Sequence, residues 1–279
     1  MIITDLDGTF MDTHNDINAR NAAAIQRAMA RGVICCACTA RNWSVGRYPI
    51  MTAGFSDHAA LCNGAAIIDT TTMQFHDVTT IPLASLKQLV QILMADDRVL
   101  FSAFLPRRFM AVEGQQTAYM TRLITEWDNS SLHRHERVTL IETPEQLIEA
   151  CDGEALMMDV HGINQGDTRL PIPQDVMQKL EALPGLTITS AHVGSLQIMK
   201  EGVSKRAGAQ KLAEIYDIPR ENIMCVGDNL NDMGMIQWAG LGVAVGNALP
   251  EVKAVADYIS CNCQEGAVAQ AIEHFIEGK

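Results

Sequence analysis

The chain has 279 residues and a formal net charge of −12, from 33 acidic and 21 basic side chains. This balance argues against broad binding to nucleic acid or an anionic membrane, both of which call for a basic face. It still allows a small phosphorylated molecule held by a metal ion, a lysine and backbone N–H groups. The length suits two domains. No stretch reaches the roughly 18 uncharged apolar residues of a membrane span, and no basic and apolar leader precedes the first charged motif. The expectation is therefore a cytoplasmic protein whose eight cysteines are reduced thiols: Cys35, Cys36 and Cys38 fall in an apolar run, and Cys261 and Cys263 lack the spacing of a zinc half-site.

Met1 to Thr4 reads as a buried strand, followed at once by Asp5-Leu6-Asp7-Gly8-Thr9. Two carboxylates two residues apart at a strand end oppose each other's ionisation, so a cation should offset them. Mg²⁺ suits hard oxygen ligands of this kind. Ile17 to Arg31 has helical periodicity ended by Gly32, and Val33 to Ala37 returns as a strand, with Thr39 and Arg41 just beyond it.

The pattern then changes. Ala66 to Ile68 and Gln74 to Val78 flank a Thr-rich turn and read as a hairpin, and Pro82 suits the first residue of a helix through Met94. Short strand-like runs follow at Val99 to Phe104, Phe109 to Val112 and Ala155 to Val160. They are interspersed with helices, one opened by the capping-box pattern Thr143-Pro144-Glu145-Gln146. His133 and His135 alternate with Arg134 and Glu136 as a solvated face. Regular alternation resumes with the helix Ser204 to Tyr216, the strand Asn222 to Gly227, the helix Met233 to Ala239 and the strand Leu241 to Val245. The expected fold is α/β. A Rossmann-like parallel-sheet core comprises residues 1–82 and 191–279, and an inserted α+β domain spans 83–190.

In such a sheet, ligands bind beyond the carboxyl ends of the strands. The polar outliers fall there: Asp5 and Asp7, Thr39 and Arg41, then Asp228, Asn231 and Asp232, while Lys205 opens a helix. These types suit phosphoryl transfer, which needs alignment and charge neutralisation. Asp5, last in the rigid strand, is the expected nucleophile. Asp7, two residues out on the loop, is the expected general acid and base. Gly8 permits the sharp turn and turns backbone N–H groups toward the phosphoryl oxygens. Asp228 completes a metal shell, Thr39 donates to the phosphoryl group and Lys205 balances phosphate and nucleophile charge. Arg41 suits either a substrate contact or a structural ion pair, and Asn231 either a ligand contact or a helix cap.

These segments resemble the haloacid dehalogenase (HAD) superfamily, and within it the Cof-type sugar-phosphatase-like hydrolases with a type IIB cap. The resemblance rests on Asp5-Leu6-Asp7-Gly8-Thr9, Thr39-Ala40-Arg41, Gly202-Val203-Ser204-Lys205 and Gly227-Asp228-Asn229-Leu230-Asn231-Asp232-Met233, in this order, with Asn63-Gly64-Ala65 and Gly246-Asn247-Ala248 as further signatures. It implies Mg²⁺ held by the Asp5 carboxylate, the Asp7 carbonyl and Asp228, with Asp232 in support, Asn231 near the phosphoryl group and a cap that screens substrates. Ala40 departs from the family's usual glycine, which puts a methyl beside Thr39.

The candidate set is thus Asp5, Asp7, Thr39 and Lys205 for catalysis, Gly8, Ala40, Arg41 and Asn231 for phosphate or substrate, and Asp5, Asp7, Asp228 and Asp232 for metal. The expected activity is Mg²⁺-dependent hydrolysis of phosphomonoesters of small metabolites, sugar phosphates first, through an aspartyl-phosphate. Alternatives are a phosphotransferase or phosphomutase on the same scaffold and, further off, a phosphoacceptor signalling protein.

Overall fold

The computed structural model describes residues 1–112, 138–165, 168–190 and 194–278; His133 and His135 lie outside them. The first part of the chain forms β1 (Ile2–Thr4), β2 (Cys35–Ala37), β3 (His58–Leu61), β4 (Ala66–Asp69) and β5 (Gln74–His76). The middle part forms β6 (Val99–Phe104), β7 (Phe109–Val112), β8 (Val138–Ile141), β9 (Met157–Gly162), β10 (Asn164–Gln165), β11 (Thr168–Arg169), β12 (Leu186–Ser190) and β13 (Ser195–Lys200). The last part forms β14 (Met224–Gly227), β15 (Leu241–Ala244) and β16 (Tyr258–Ile259). Two compact units result: Met1–Arg41, Gly46–Asp77 and Ser204–Lys279 make the first, Asn42–Val45 and Val78–Val203 the second.

The first unit carries a five-stranded sheet in the order β16-β15-β14-β1-β2, parallel throughout. The interior strand β1 begins with Ile2 and Ile3, both fully buried, as expected where helices cover both faces. The helix Ala19–Ala30 is capped by the Asn18 side chain, which accepts from the backbone N–H groups of Arg20 and Asn21. On one face, Ile3, Cys36, Cys38, Ala60 and Cys225 pack with Ala209 and Leu212 of the helix Lys205–Ile215. The small side chains let this helix come close. A Cβ on Gly64 would stand 2.7 Å from the Gly208 backbone nitrogen, so only glycine fits there. A three-stranded antiparallel sheet, β3-β4-β5, adjoins β2 through a parallel bridge between Cys38 and Ala60.

The second unit holds a six-stranded sheet, β12-β13-β9-β6-β7-β8, antiparallel except for the parallel β7–β8 pair. Leu86, Leu89 and Leu93 of the helix Leu83–Met94 pack with Phe101, Met158 and Ile198 of the sheet. The helices Pro144–Cys151 and Gln174–Glu181 add Leu147 and Leu180 to the same core. At Thr143 both halves of the capping box form. Asn42 is buried in this unit, its Nδ2 donating to the carbonyls of Leu105 and Arg108 at 3.0 Å each.

The units divide at Asp77/Val78 and Val203/Ser204, where the sequence suggested 82/83 and 190/191. The larger difference has a plain cause: β13 pairs with β12 and β9, so it belongs to the second sheet. Pro82 precedes the helix as its N-cap instead of opening it. The helix Trp43–Ala53, with Pro49 inside, and β3 carry no strong periodic signal and emerge only in the fold. All eight cysteines are free thiols, seven of them buried. Among the described residues no helix is long and apolar enough to cross a membrane.

Candidate active site

Asp5 continues β1: its backbone N–H donates to the Val226 carbonyl at 3.0 Å, which ties it to β14. The chain then turns sharply. Asp7 (φ −73°, ψ 122°) and Gly8 (φ 71°, ψ 3°) have type II turn geometry, which requires a positive φ at its second central residue. A Cβ on Gly8 would also lie 2.9 Å from Asp228 Oδ2. Glycine therefore serves both the turn and the approach of a carboxylate. Asn247 Nδ2 donates to the Gly8 carbonyl at 2.8 Å and holds the turn from outside.

Asp228 follows β14, the strand beside β1. Its Oδ1 accepts from Thr9 Oγ1 at 2.7 Å, which leaves Oδ2 toward the turn. Lys205 opens the helix capped by Ser204, whose hydroxyl accepts from the Ala207 N–H at 3.2 Å. The lysine is 1 % exposed, and its Nζ lies 2.6 Å from Asp5 Oδ1 and 2.7 Å from Asp232 Oδ1. Asp232 Oδ2 accepts from the backbone N–H groups of Asp228 and Asn229 at 3.1 and 3.0 Å. Both Asp232 oxygens are thus engaged within the protein, and this carboxylate orients Lys205 and the Asp228 loop.

The electrostatics follow from burial. Desolvation pushes the Asp5 carboxyl well above the usual range; Lys205 opposes the shift, and Asp232, Asp228 and Asp7 reinforce it. Burial and then repulsion from Asp232 push Asp228 up to about 7, against the stabilising Thr9 hydroxyl. Burial alone would lower Lys205, but Asp232 and Asp5 outweigh it and hold the ammonium charged. Lys205 thus pairs with two of three clustered carboxylates, with donor atoms of Asp5, Asp228 and Asp232 within 4.8 Å of one another. The carboxylates of Asp5 and Asp228 supply hard oxygen donors for a divalent cation, so this donor set fits Mg²⁺.

The other expected positions are arranged around this group. Thr39 is fully buried; its Oγ1 accepts from the Arg41 backbone N–H at 3.1 Å and keeps its own proton to donate. Arg41 grips Asp7, with Nε 2.9 Å from Oδ2, and its Nη2 reaches Asn15 Oδ1 at 3.1 Å. Asn231 does not cap the following helix; Asn229 caps the turn Leu230–Asp232. Instead Asn231 Nδ2 donates to Asn63 Oδ1 at 3.1 Å, and its buried Oδ1 lacks a partner among the described residues. Ala40 has no positive φ, so the backbone does not call for glycine at this position.

Thr9, Asn15, Asn63 and Asn247 join the network without having been singled out as site residues. Thr9 and Asn247 lie inside or beside quoted motifs, so their sequence signal was position. Asn63 has φ 56°, a left-handed conformation that asparagine tolerates, and Asn15, at φ 65°, shares it.

Comparison with known proteins agrees with this geometry. The family model described as haloacid dehalogenase-like hydrolase matches residues 2–272. A 5-amino-6-(5-phospho-D-ribitylamino)uracil phosphatase, YcsE of Bacillus subtilis, is 27 % identical over 283 residues, covering 99 % of this chain and 95 % of its own. Phosphatase YwpJ of the same organism is 24 % identical over 295 residues, with 99 % of each chain covered. Among solved structures, a HAD subclass IIB sugar phosphatase superposes with TM-score 0.79 at 20 % identity, covering 98 % of both chains. A haloacid dehalogenase-like hydrolase from B. subtilis gives TM-score 0.82 at 21 % identity, covering 99 % of both. The chain is an enzyme, and it belongs to the haloacid dehalogenase-like hydrolase family.

Proposed function

We propose that the protein is a Mg²⁺-dependent phosphatase of small phosphorylated metabolites, sugar phosphates being the first class to test, that works through an aspartyl-phosphate on Asp5. The observation that carries this reading is the buried Lys205 shared between Asp5 Oδ1 and Asp232 Oδ1. It fixes the Asp5 carboxylate at the end of β1 and leaves Oδ2 as the nucleophilic atom. The phosphatase names of YcsE and YwpJ support the reaction class. The solved sugar phosphatase supports the choice of substrates to try.

In the first step Asp5 Oδ2 forms a bond to phosphorus as the bond to the leaving oxygen breaks, and Asp7 gives that oxygen a proton. In the second, water attacks phosphorus, Asp7 takes its proton, and the carboxylate of Asp5 departs as inorganic phosphate is released. Thr39 donates to a phosphoryl oxygen, Lys205 lowers the cost of bringing a dianion to a carboxylate, and the orphaned Asn231 Oδ1 accepts a donor from the ligand or its water. The Asp5 and Asp228 carboxylates and the Asp7 carbonyl would hold Mg²⁺, which when bound neutralises charge on the phosphoryl oxygens. The second unit, with its own sheet, would serve as the cap that selects substrates.

Purified protein should hydrolyse p-nitrophenyl phosphate with Mg²⁺ and lose this activity with a chelator or in Asp5→Asn. Undiminished turnover in Asp5→Asn would contradict the mechanism. A panel of phosphorylated metabolites compared by kcat/KM then ranks the substrate classes.

A further inference from the structure

A second group of metal-type donors lies outside the carboxylate cluster, on the three-stranded sheet. His58 on β3 is paired in register with Asp69 on β4, while His76 on β5 is opposite Ile67, two residues before Asp69. Alternation along β4 puts Ile67 and Asp69 on one face, so all three donors share it. Ile67 is buried against the helix Lys205–Ile215. His58 and Asp69 are half-buried and His76 is exposed, so the group sits where this packed face opens to solvent.

We propose that His58, Asp69 and His76 form a binding site for a first-row transition cation, with Zn²⁺ as the physiological candidate. One ligand atom from each lies within 4.8 Å of the other two. Yet among the described residues no hydrogen bond or ion pair joins either imidazole to Asp69. The three donors thus lie within reach of one ion without pairing to one another among the described residues. Zn–N and Zn–O distances of about 2.0 to 2.1 Å place tetrahedral donors roughly 3.4 Å apart, so a bound ion would draw these side chains together.

The surroundings already orient two of the donors. His58 Nδ1 is 3.1 Å from the Tyr216 hydroxyl, at the end of the helix Lys205–Ile215. With Nδ1–H donating there, Nε2 keeps its lone pair for a cation, the usual arrangement for a ligating histidine. Burial keeps the Tyr216 phenol protonated and able to accept this bond. Asp69 Oδ1 accepts from the Thr71 N–H at 2.8 Å, the Thr71 hydroxyl at 2.6 Å and the Thr72 N–H at 3.0 Å, which leaves Oδ2 for a cation. These bonds, the Thr71 hydroxyl first, hold the carboxyl below its ordinary range and hence ionised. Two imidazoles and one carboxylate favour Zn²⁺ over Mg²⁺, and three protein ligands leave a position for water. A bound ion would cross-link β3, β4 and β5.

The test is Co²⁺ and Zn²⁺ titration of the full chain in excess Mg²⁺, which occupies the carboxylate cluster. The expected result is one equivalent of Co²⁺ with the intense visible bands of a low-coordinate nitrogen-ligated ion, displaced by Zn²⁺. His76→Gln and Asp69→Asn should each weaken binding by at least about tenfold and Tyr216→Phe by about tenfold, with Asp5→Asn leaving it intact. His76→Gln should keep its Mg²⁺-dependent activity and fold. Absence of the bands, or binding lost in Asp5→Asn and kept in His76→Gln, would overturn the assignment.

Discussion

Arg41 holds the Asp7 carboxylate through its side chain, Nε standing 2.9 Å from Oδ2 and 3.2 Å from Oδ1, while its backbone N–H donates to Thr39 Oγ1 at 3.1 Å. One residue thus fixes two functional groups from different strand ends. The Arg41 side chain is 19 % exposed and its Asp7 partner 38 %, so solvent screens part of the pair.

If Asp7 protonates the leaving oxygen, its placement matters most for poor leaving groups. Arg41→Met is expected to lower kcat on an alkyl phosphate by about tenfold to a hundredfold, within the range for a misplaced general acid. An aryl phosphate, which leaves without a proton, should lose much less. Equal losses on both, measured side by side, would assign Arg41 to substrate binding instead.

Lys205 offers a split between stability and activity. Lys205→Met leaves Asp5 and Asp232 buried with no cation, a change that costs about 3 to 5 kcal/mol when one partner of a buried pair is removed. Adding Asp232→Asn should restore part of the loss in a urea melt, because one uncompensated charge is gone. It should not restore turnover.

The raised Asp5 and Asp228 carboxyls make stability depend on pH in a defined direction. Asp228, pushed up to about 7, holds its proton in the folded chain at pH values where the unfolded chain has lost it. The folded state then binds more protons, so stability without divalent cation falls as pH rises from about 4 to about 7. Mg²⁺ binds the ionised form, so its stabilising effect should grow over the same interval. Melting curves with and without Mg²⁺ check both slopes.

At the turn, Gly8→Ala forces a side chain into a left-handed conformation costing about 1 to 2 kcal/mol and drives its methyl against Asp228. Melting should fall accordingly, and Mg²⁺ affinity by calorimetry should fall as well. A loss of stability with unchanged Mg²⁺ affinity would separate the turn from the metal shell.

The parallel core was legible because buried strands and amphipathic helices alternate there, and the site because its carboxylates follow strand ends where charge is conspicuous. Lys205 was legible as a residue type at a helix start, but its full burial between two aspartates was not, since burial depends on the approach of Gly208 to Gly64. The short β3, with His58 at its start, offers too few residues for a period. Its pairing, and with it the meeting of His58, Asp69 and His76, arises from register between strands. Arg41 could be read two ways because its partner lies 34 residues away; distance in sequence hides a contact that the fold makes at 2.9 Å.

Passage of the phosphoryl group through Asp5 leaves its mark on the stereochemistry at phosphorus. Hydrolysis of a phosphorothioate monoester made chiral with two oxygen isotopes, in water carrying the third, should proceed with net retention, because two in-line displacements each invert the centre. Net inversion would mean that water attacks the substrate itself, with no phosphoryl group on Asp5.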